Sequence, residues 1–600
     1  MVNNISFNKT QFSPIYAKAK VDKTEDNEQT QKQQESLPAY NNAYVTPFIK
    51  VNDVHYTQNE KNFMDYRDKV CDVINEYKKE YNKATWEFYT NSTPENANVI
   101  NLTEKAYSNI YNDKEVYDKL LEFKENGIED KHLQTHMNDL LQRFKPNEPQ
   151  KQTEESEEAA QDVQDSELVQ ESSEEQKQQP VSEEEISIIF NGFKPQLNGE
   201  PVSESELFKI KRTSRDMEVR KAAYAAERSS GDAIADKMIQ LIKDRNEIAK
   251  YNGFDNYYQL MLCVYGTSDA QITKLFDDLS QKTDEKYKEI SDAMNQGTAD
   301  EWGITKEELR PWHFGYRKQS NTNNQIDEFF PQDKHVETAT KIYSQMGWNI
   351  DKMPITMDLY PRDNKAGNGS CFCIDPGKDS RILANLGDGK SSMETLLHET
   401  GHAVYELGLP TSLPYQDREI ASNVLTEAVA MLMETLPQRE GAYEEAVGMP
   451  KEMSDNLESE RIKKSVSFIR QQIFMADFEK KLYENPEQDP KKLWYDLKQH
   501  YLGSNPPDEL NNEWATIPHY LTNPGYIQNY VRAEVMVSQL YEAAHEKVGD
   551  LTKSTETAKF FQENIFNYGS SKSEEEIIKL ATGKELSAEA YCKQLEKLNA

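Results

Sequence analysis

Apolar residues recur three and four positions apart across residues 59–90 and again across 216–264, within runs rich in Lys, Glu and Ala. That spacing gathers them on one face of a helix, so both stretches predict amphipathic helices. Strand patterns are few. The clearest are 355–360, 370–374 and 381–386, short segments parted by Gly, Pro, Asn and Asp. They predict a small antiparallel sheet in an otherwise helical chain. No internal repeat is evident, and the expected fold class is mainly α.

Two polar stretches break the periodicity. Residues 1–44 are rich in Gln, Lys and Glu, carry scattered prolines and show no sustained period, so they read as a disordered N-terminal tail. Residues 146–185 hold fourteen Asp and Glu against two Lys, a net of twelve negative charges within a chain total of −34. Such a stretch repels itself and reads as a disordered acidic insertion, either a solvated loop or an arm for a partner. The expected organisation is therefore a tail at 1–44 and one helical domain at 45–600, interrupted at 146–185.

The 600 residues include 22 Phe, 32 Tyr and 6 Trp, enough for a sizeable core although the mean hydropathy is −0.88. The strongly negative charge argues against nucleic acid as a partner, because a phosphate backbone would be repelled. Five cysteines, at 71, 263, 371, 373 and 592, are too few and odd in number for a disulfide framework. They point to a reducing compartment, and the cytoplasm is the expected location. The first residues lack a basic segment followed by an apolar one, and no run is long enough to span a bilayer, so neither export nor a membrane partner is expected. The residues fix no oligomeric state.

Chemistry concentrates after Ser391, where the chain reads S-S-M-E-T-L-L-H-E-T-G-H-A-V-Y-E-L-G-L-P. Ser391 and Glu394 have capping-box spacing, and Gly408 with Pro410 makes a stop signal, predicting one helix between them. His398 and His402, four apart, then share a face on which two imidazoles can bind one zinc. Glu399 can reach a water beside that metal and act as general base. A catalytic zinc wants a third protein ligand. Tyr405 stands where a glycine would announce a third histidine, and no such histidine follows. The run from about 417 to 436, ended by Pro437, instead supplies Glu427 on a mostly apolar helix, where a carboxylate is costly unless paired or bound to metal. Glu427 is the expected third ligand, and one Zn2+ per chain the expected cofactor.

Downstream, residues 517–530 gather His519, Tyr520, Tyr526 and Tyr530 around a Pro-Gly turn. Peptide hydrolysis builds an oxyanion that needs hydrogen-bond donors beyond the metal, and a His with phenols supplies them. Taken alone, the cluster reads equally well as aromatic packing.

Together these segments resemble the angiotensin-converting enzyme family of zinc metallopeptidases, especially its shorter cytoplasmic bacterial members, and more distantly the thimet oligopeptidase and oligoendopeptidase families. The resemblance is carried by Asp358-Leu-Tyr, Gly369-Ser-Cys-Phe-Cys-Ile-Asp, Arg381-Ile-Leu-Ala-Asn, His398-Glu-Thr-Gly-His-Ala-Val-Tyr, Ser412-Leu-Pro, Thr426-Glu-Ala-Val-Ala-Met-Leu, and the stretch from His519 to Tyr530 with Ser538-Gln beyond it. A weaker likeness runs through Arg220-Lys-Ala-Ala, Arg245-Asn-Glu-Ile-Ala and Arg310-Pro-Trp-His, so that about 204–545 is covered. It implies a two-lobed helical body with a deep substrate channel, zinc at its floor, and an edge strand containing Ser370, Cys371 and Phe372 that pairs with the substrate backbone. Cys371 and Cys373 are then strand residues rather than metal ligands, since thiolate zinc sites come as two spaced pairs.

The resemblance also implies that His519 and Tyr526 contact the substrate carbonyl and that a further tyrosine stabilises the oxyanion. Asn529 holds the matching position and Tyr530 follows it, so Tyr530 is a candidate offset by one residue. The converting enzymes place a lysine two residues before the matching histidine to grip a C-terminal carboxylate, whereas this chain has Ile517. The expected function is thus zinc-dependent hydrolysis of short, unstructured peptides in the manner of an oligopeptidase. Release of C-terminal dipeptides is the alternative. A non-catalytic scaffold on the same fold is opposed by the intact His398, Glu399, His402 and Glu427, and action on a non-peptide amide by the His/Tyr cluster.

Overall fold

A computed structural model describes residues 56–145, 181–316 and 325–598. The expected tail at 1–44 and residues 146–180 of the acidic stretch lie outside these residues. Among the described residues no helix is long and apolar enough to cross a membrane.

Four helices open the chain: α1 (Gln58–Thr90), α2 (Pro94–Asn109), α3 (Lys114–Glu125) and α4 (Lys131–Arg143). Thr57 and Glu60 form a reciprocal capping box that starts α1. The four pack around their own small core, which includes Phe63, Ile74, Leu120, Phe123, Leu140 and Phe144. The next helix, α5 (Glu183–Gly192), begins inside the stretch read as an insertion. Ser182 caps it, accepting from the Glu185 amide, and Ile186 is fully buried, so the helix belongs to the folded body.

After a short hairpin of β1 (Gln196–Leu197) and β2 (Glu200–Pro201) come α6 (Glu204–Thr213), α7 (Met217–Tyr251), α8 (Tyr257–Val264), α9 (Asp269–Trp302) and α10 (His335–Gln345). Beyond the main sheet lie α11 (Lys390–Gly408), α12 (Asn423–Arg439), α13 (Ala442–Val447), α14 (Lys451–Glu484), α15 (Pro490–Leu502), α16 (Pro518–Thr522), α17 (Gln528–Val548), α18 (Glu556–Asn564), α19 (Glu574–Thr582) and α20 (Glu589–Lys593). The mainly α expectation holds. Two large apolar cores organise this body. One surrounds α10, α11 and α12 with the C-terminal helices, and the other joins α7–α9 to α14–α16. Helix α17 enters both, giving Val531 and Val535 to the second and Ala533, Met536, Val537 and Leu540 to the first.

The main sheet comprises β3 (Ile355–Asp358), β4 (Ser370–Asp375) and β5 (Asp379–Leu383) in the order β3-β5-β4. It is mixed, which corrects the antiparallel expectation. The tight β4–β5 turn gives an antiparallel pair, with Cys371 opposite Ile382, but β3 runs parallel to β5, with Met357 opposite Ile382. The intervening β4 supplies the crossover that a parallel pair requires.

Helix starts near the expected site also differ from the sequence signals. Gly389 is the N-cap of α11, and the carboxylate of Asp327, distant in sequence, accepts from the Lys390 amide at 3.0 Å, so Ser391 and Glu394 make no capping box. Glu394 pairs instead with Lys390 and accepts from Gln438 Nε2 at 2.7 Å. Helix α12 begins after its cap Ser422 and runs through Pro437 to Arg439, two residues past the proline read as its end.

The N-terminal lobe is fastened to the body by a polar clasp. His132 and His136, one turn apart on α4, each place Nε2 2.9 Å from a different oxygen of Asp417, which precedes α12. Arg67 Nη1 lies 2.9 Å from His136 Nδ1. A guanidinium can only donate, so Nδ1 accepts and the His136 proton sits on Nε2, facing Asp417. That ring is a donor to the carboxylate, which is the wrong state for a metal ligand. Burial opposes charge on Asp417, but the bonds from His132 and His136 bring its pKa down to about 2. The Asp417 bond in turn raises the pKa of His132. The carboxylate contribution is therefore complete above its ordinary value of about 3.9 and is lost as pH falls toward 2, while the imidazolium contribution is complete below about 6.5 and fades as pH rises through the raised value. We expect Asp417→Asn to weaken the lobe's attachment by about 1–3 kcal/mol. Hydrogen-exchange protection factors for residues 131–143 would report this, being highest in the wild type between about pH 4 and 6.5. Equal protection in both proteins would show that the clasp fastens nothing.

Candidate metal centre

Helix α11 puts His398 and His402 on one face, and α12 crosses it so that Glu427 faces the same point. The two Nε2 atoms are 3.2 Å apart, and the Glu427 oxygens lie 3.4 Å from His398 Nε2 and 3.6 Å from His402 Nε2. Ligand atoms of a tetrahedral zinc, each at about 2.0–2.1 Å, stand about 3.3 Å from one another. The three donors thus fit such a cation. The close approach of the helices depends on Gly401: a Cβ there would stand 2.8 Å from the Cα of Ala430 on α12. Only a hydrogen fits between them.

Each imidazole is oriented from behind, by partners that spacing within one helix does not single out. His398 Nδ1 is 3.1 Å from Glu434 Oε2, and His402 Nδ1 is 3.1 Å from Thr426 Oγ1. Glu434 as a carboxylate accepts, so Nδ1 of His398 carries a proton and Nε2 is turned to the cluster. A signal existed for Glu434: it stands seven residues after Glu427, two turns along the same helix face. Burial opposes charge on His398, yet the Glu434 bond and the Glu427 carboxylate raise its pKa to about 9. The carboxylates therefore demand positive charge at this point, as a cation site must. His402, buried and beside His398, is shifted well down.

Glu399 is 8% exposed, with a pKa lifted to about 7 by burial; His398 opposes the rise and Glu427 adds to it. Its carboxylate lies near the residue just before β4, for a Cβ on Gly369 would be 3.0 Å from Glu399 Oε1. The general-base candidate and the candidate substrate strand therefore adjoin. Ser370, Cys371 and Phe372 lie on β4, the outer strand on its side of the sheet. The Cys371 thiol faces Glu406 of α11 at 3.5 Å, and Ser380 Oγ donates to the same carboxyl at 2.7 Å, tying strand to metal helix. Burial pushes both Cys371 and Cys373 thiols well up, so they are neutral. Phe372 points the other way, packing edge-on against Trp86 and Tyr89 of α1.

The third group converges from the other core. His519, in α16, has Nε2 3.0 Å from the Tyr530 hydroxyl, and the rings of Tyr526 and Tyr530 are 5.5 Å apart. Burial raises the Tyr530 pKa, with the Glu427 charge adding to it, which couples this phenol to the metal cluster. Asn529 turns inward, its Oδ1 accepting from Gln528 and Arg532. Of the two neighbours, it is Tyr530 whose hydroxyl meets His519, while the Asn529 amide oxygen is taken up by Gln528 and Arg532. Burial holds the His519 pKa down, leaving a neutral ring able to donate one hydrogen bond.

Comparison with known proteins agrees with this geometry. Mitochondrial intermediate peptidase of Arabidopsis thaliana is 22% identical over 438 residues, 62% of this chain and 61% of that protein. The alignment thus spans less than two thirds of the relative's length. A model described as peptidase family M3 matches residues 211–597. The likeness to the angiotensin-converting enzymes rests on the motif residues alone. Because the match takes in α11, α12, α16 and α17 and most of the chain's length, this protein belongs to peptidase family M3, a family of metal-dependent peptidases.

Proposed function

We propose that this chain is a zinc oligopeptidase that hydrolyses short, unstructured peptides. The observation that carries the reading is the meeting of His398, His402 and Glu427 within 4.8 Å, with Glu399 one residue along the same helix. Zinc held by these three would polarise the scissile carbonyl and lower the pKa of the attacking water. Glu399 takes the proton from that water and later hands it to the leaving amine. Tyr526 and one member of the hydrogen-bonded pair His519–Tyr530 donate to the oxygen that gains negative charge. Backbone at Ser370, Cys371 and Phe372 holds the substrate as an added strand beside Glu399. Such a substrate must be extended, which favours short peptides over folded proteins. Five free cysteines support work in a reducing compartment such as the cytoplasm.

Metal analysis of the purified protein should find one zinc per chain. A chelator should abolish cleavage of a random peptide mixture, and added zinc should restore it. A full complement of zinc with no cleavage of any peptide would favour a scaffold.

The two peptidase modes separate on the substrate's end. Ile517, where a lysine would grip a carboxylate, is half-buried against the second core. Recognition through the backbone leaves an amidated peptide cleaved almost as well as the free acid. An enzyme that relied on a partly desolvated charge pair would lose about 2–5 kcal/mol, or roughly thirtyfold and more in kcat/KM. A loss of that size, with only dipeptides released, would move the protein to the peptidyl-dipeptidase reading.

A further inference from the structure

Two buried ionisable groups that take no part in the proposed chemistry converge beneath the turn joining His519 to Tyr526. Arg245 of α7 is 3% exposed, and its guanidinium donates to the carbonyls of Tyr520 and Leu521, the former at 3.0 Å. These carbonyls end α16 and have no partner within that short helix. Glu479 of α14 is 2% exposed and accepts from the Gly525 amide at 2.8 Å. Its other oxygen is buried with no hydrogen-bond partner. The two residues thus hold opposite ends of one six-residue stretch, Tyr520 to Gly525, Arg245 by its carbonyls and Glu479 by its amide. Tyr265, whose hydroxyl donates to the Pro524 carbonyl in the same turn at 3.4 Å, meets Tyr526 edge-on at 5.6 Å.

A buried carboxyl with an unsatisfied oxygen is an expensive way to hold a turn, for an apolar residue of equal size would avoid that cost. The amide it accepts belongs to the residue immediately before Tyr526, and the carbonyls taken by Arg245 follow His519 directly. We propose that Arg245 and Glu479 are positioning residues for the reaction, a bracket that sets the distance and angle between His519 and Tyr526. Without it the turn can slide, and the donors then miss the oxygen whose charge develops. Displacements of about 1 Å in such donors cost on the order of a hundredfold. The inference rests on the reading of His519, Tyr526 and Tyr530 as the carbonyl-side donors.

Glu479→Met keeps the volume and removes the acceptor. With zinc-loaded, full-length protein, kcat should fall at least tenfold, while KM, zinc content and the melting temperature stay close to wild type. Glu479→Gln, which keeps the acceptor oxygen, should recover most of the loss. Should the Met variant not fold, Glu479→Asp withdraws the carboxyl by one methylene and should show the same fall in kcat. The decisive comparison repeats the Met substitution in a His519→Ala, Tyr526→Phe background, where the further loss should shrink to less than twofold because the groups being positioned are gone. A tenfold loss persisting there, or unchanged kcat in the single variant, overturns the bracket. Full activity in His519→Ala, Tyr526→Phe itself would instead overturn the donor reading on which the bracket rests.

Discussion

Glu399→Gln should keep one zinc per chain and lose between about a hundredfold and ten-thousandfold in kcat/KM. The amide is isosteric with the carboxyl, so α11 keeps its packing and Glu434 and Thr426 continue to hold the imidazoles. What disappears is the only group one residue from the ligand pair that can take a proton from water. Measuring kcat/KM on a quenched fluorescent peptide beside metal content checks both halves. Full turnover would remove the general-base assignment, and loss of zinc together with activity would make Glu399 a structural member of the site.

His398→Ala should lose zinc and activity together, whereas Glu434→Gln should weaken zinc only about 10- to 100-fold and leave activity recoverable with added metal. The contrast follows from the geometry. His398 Nε2 stands 3.2 and 3.4 Å from the other two donor groups, so its loss leaves two ligands and an open face. Glu434 touches only Nδ1 and acts by turning the ring. Equilibrium dialysis against buffered zinc distinguishes the cases. One equivalent of tightly held zinc in His398→Ala would show that the ligand set is wrong.

Much of this site is local and was therefore legible in the chain. Two histidines four apart on a helix must share a face, and a glutamate on an apolar helix needs a reason to be there. Glu434 and Thr426 escaped because their role depends on the crossing of two helices rather than on spacing within one. The start of α11 was misread for a related reason, since its cap comes from Asp327, sixty-three residues before Lys390. The parallel pairing of β3 with β5 depends on which side β4 is laid, and the clasp at Asp417 joins residues 281 and 285 positions apart. Alternation and propensity carry no information at that range. Tyr530 shows the converse: a likeness aligned residue by residue pointed to Asn529, and packing set the next side chain against His519.

The contact at Gly401 sets how this centre can and cannot diversify. Most tight spots in a protein interior can be relieved by trimming the opposing side chain, so a substitution on one helix is rescued by a second on its neighbour. Here the opposing atom is main chain, the Ala430 Cα, and nothing at position 430 can recede. The position is closed to repair. By contrast, the neighbours a Cβ would meet at Gly369 are the side chains of Thr395 and Glu399, one of which can be shortened. Lineages or designs that remodel the peptide strand therefore have a route through paired changes, while the spacing of the ligand helices is inherited whole or lost.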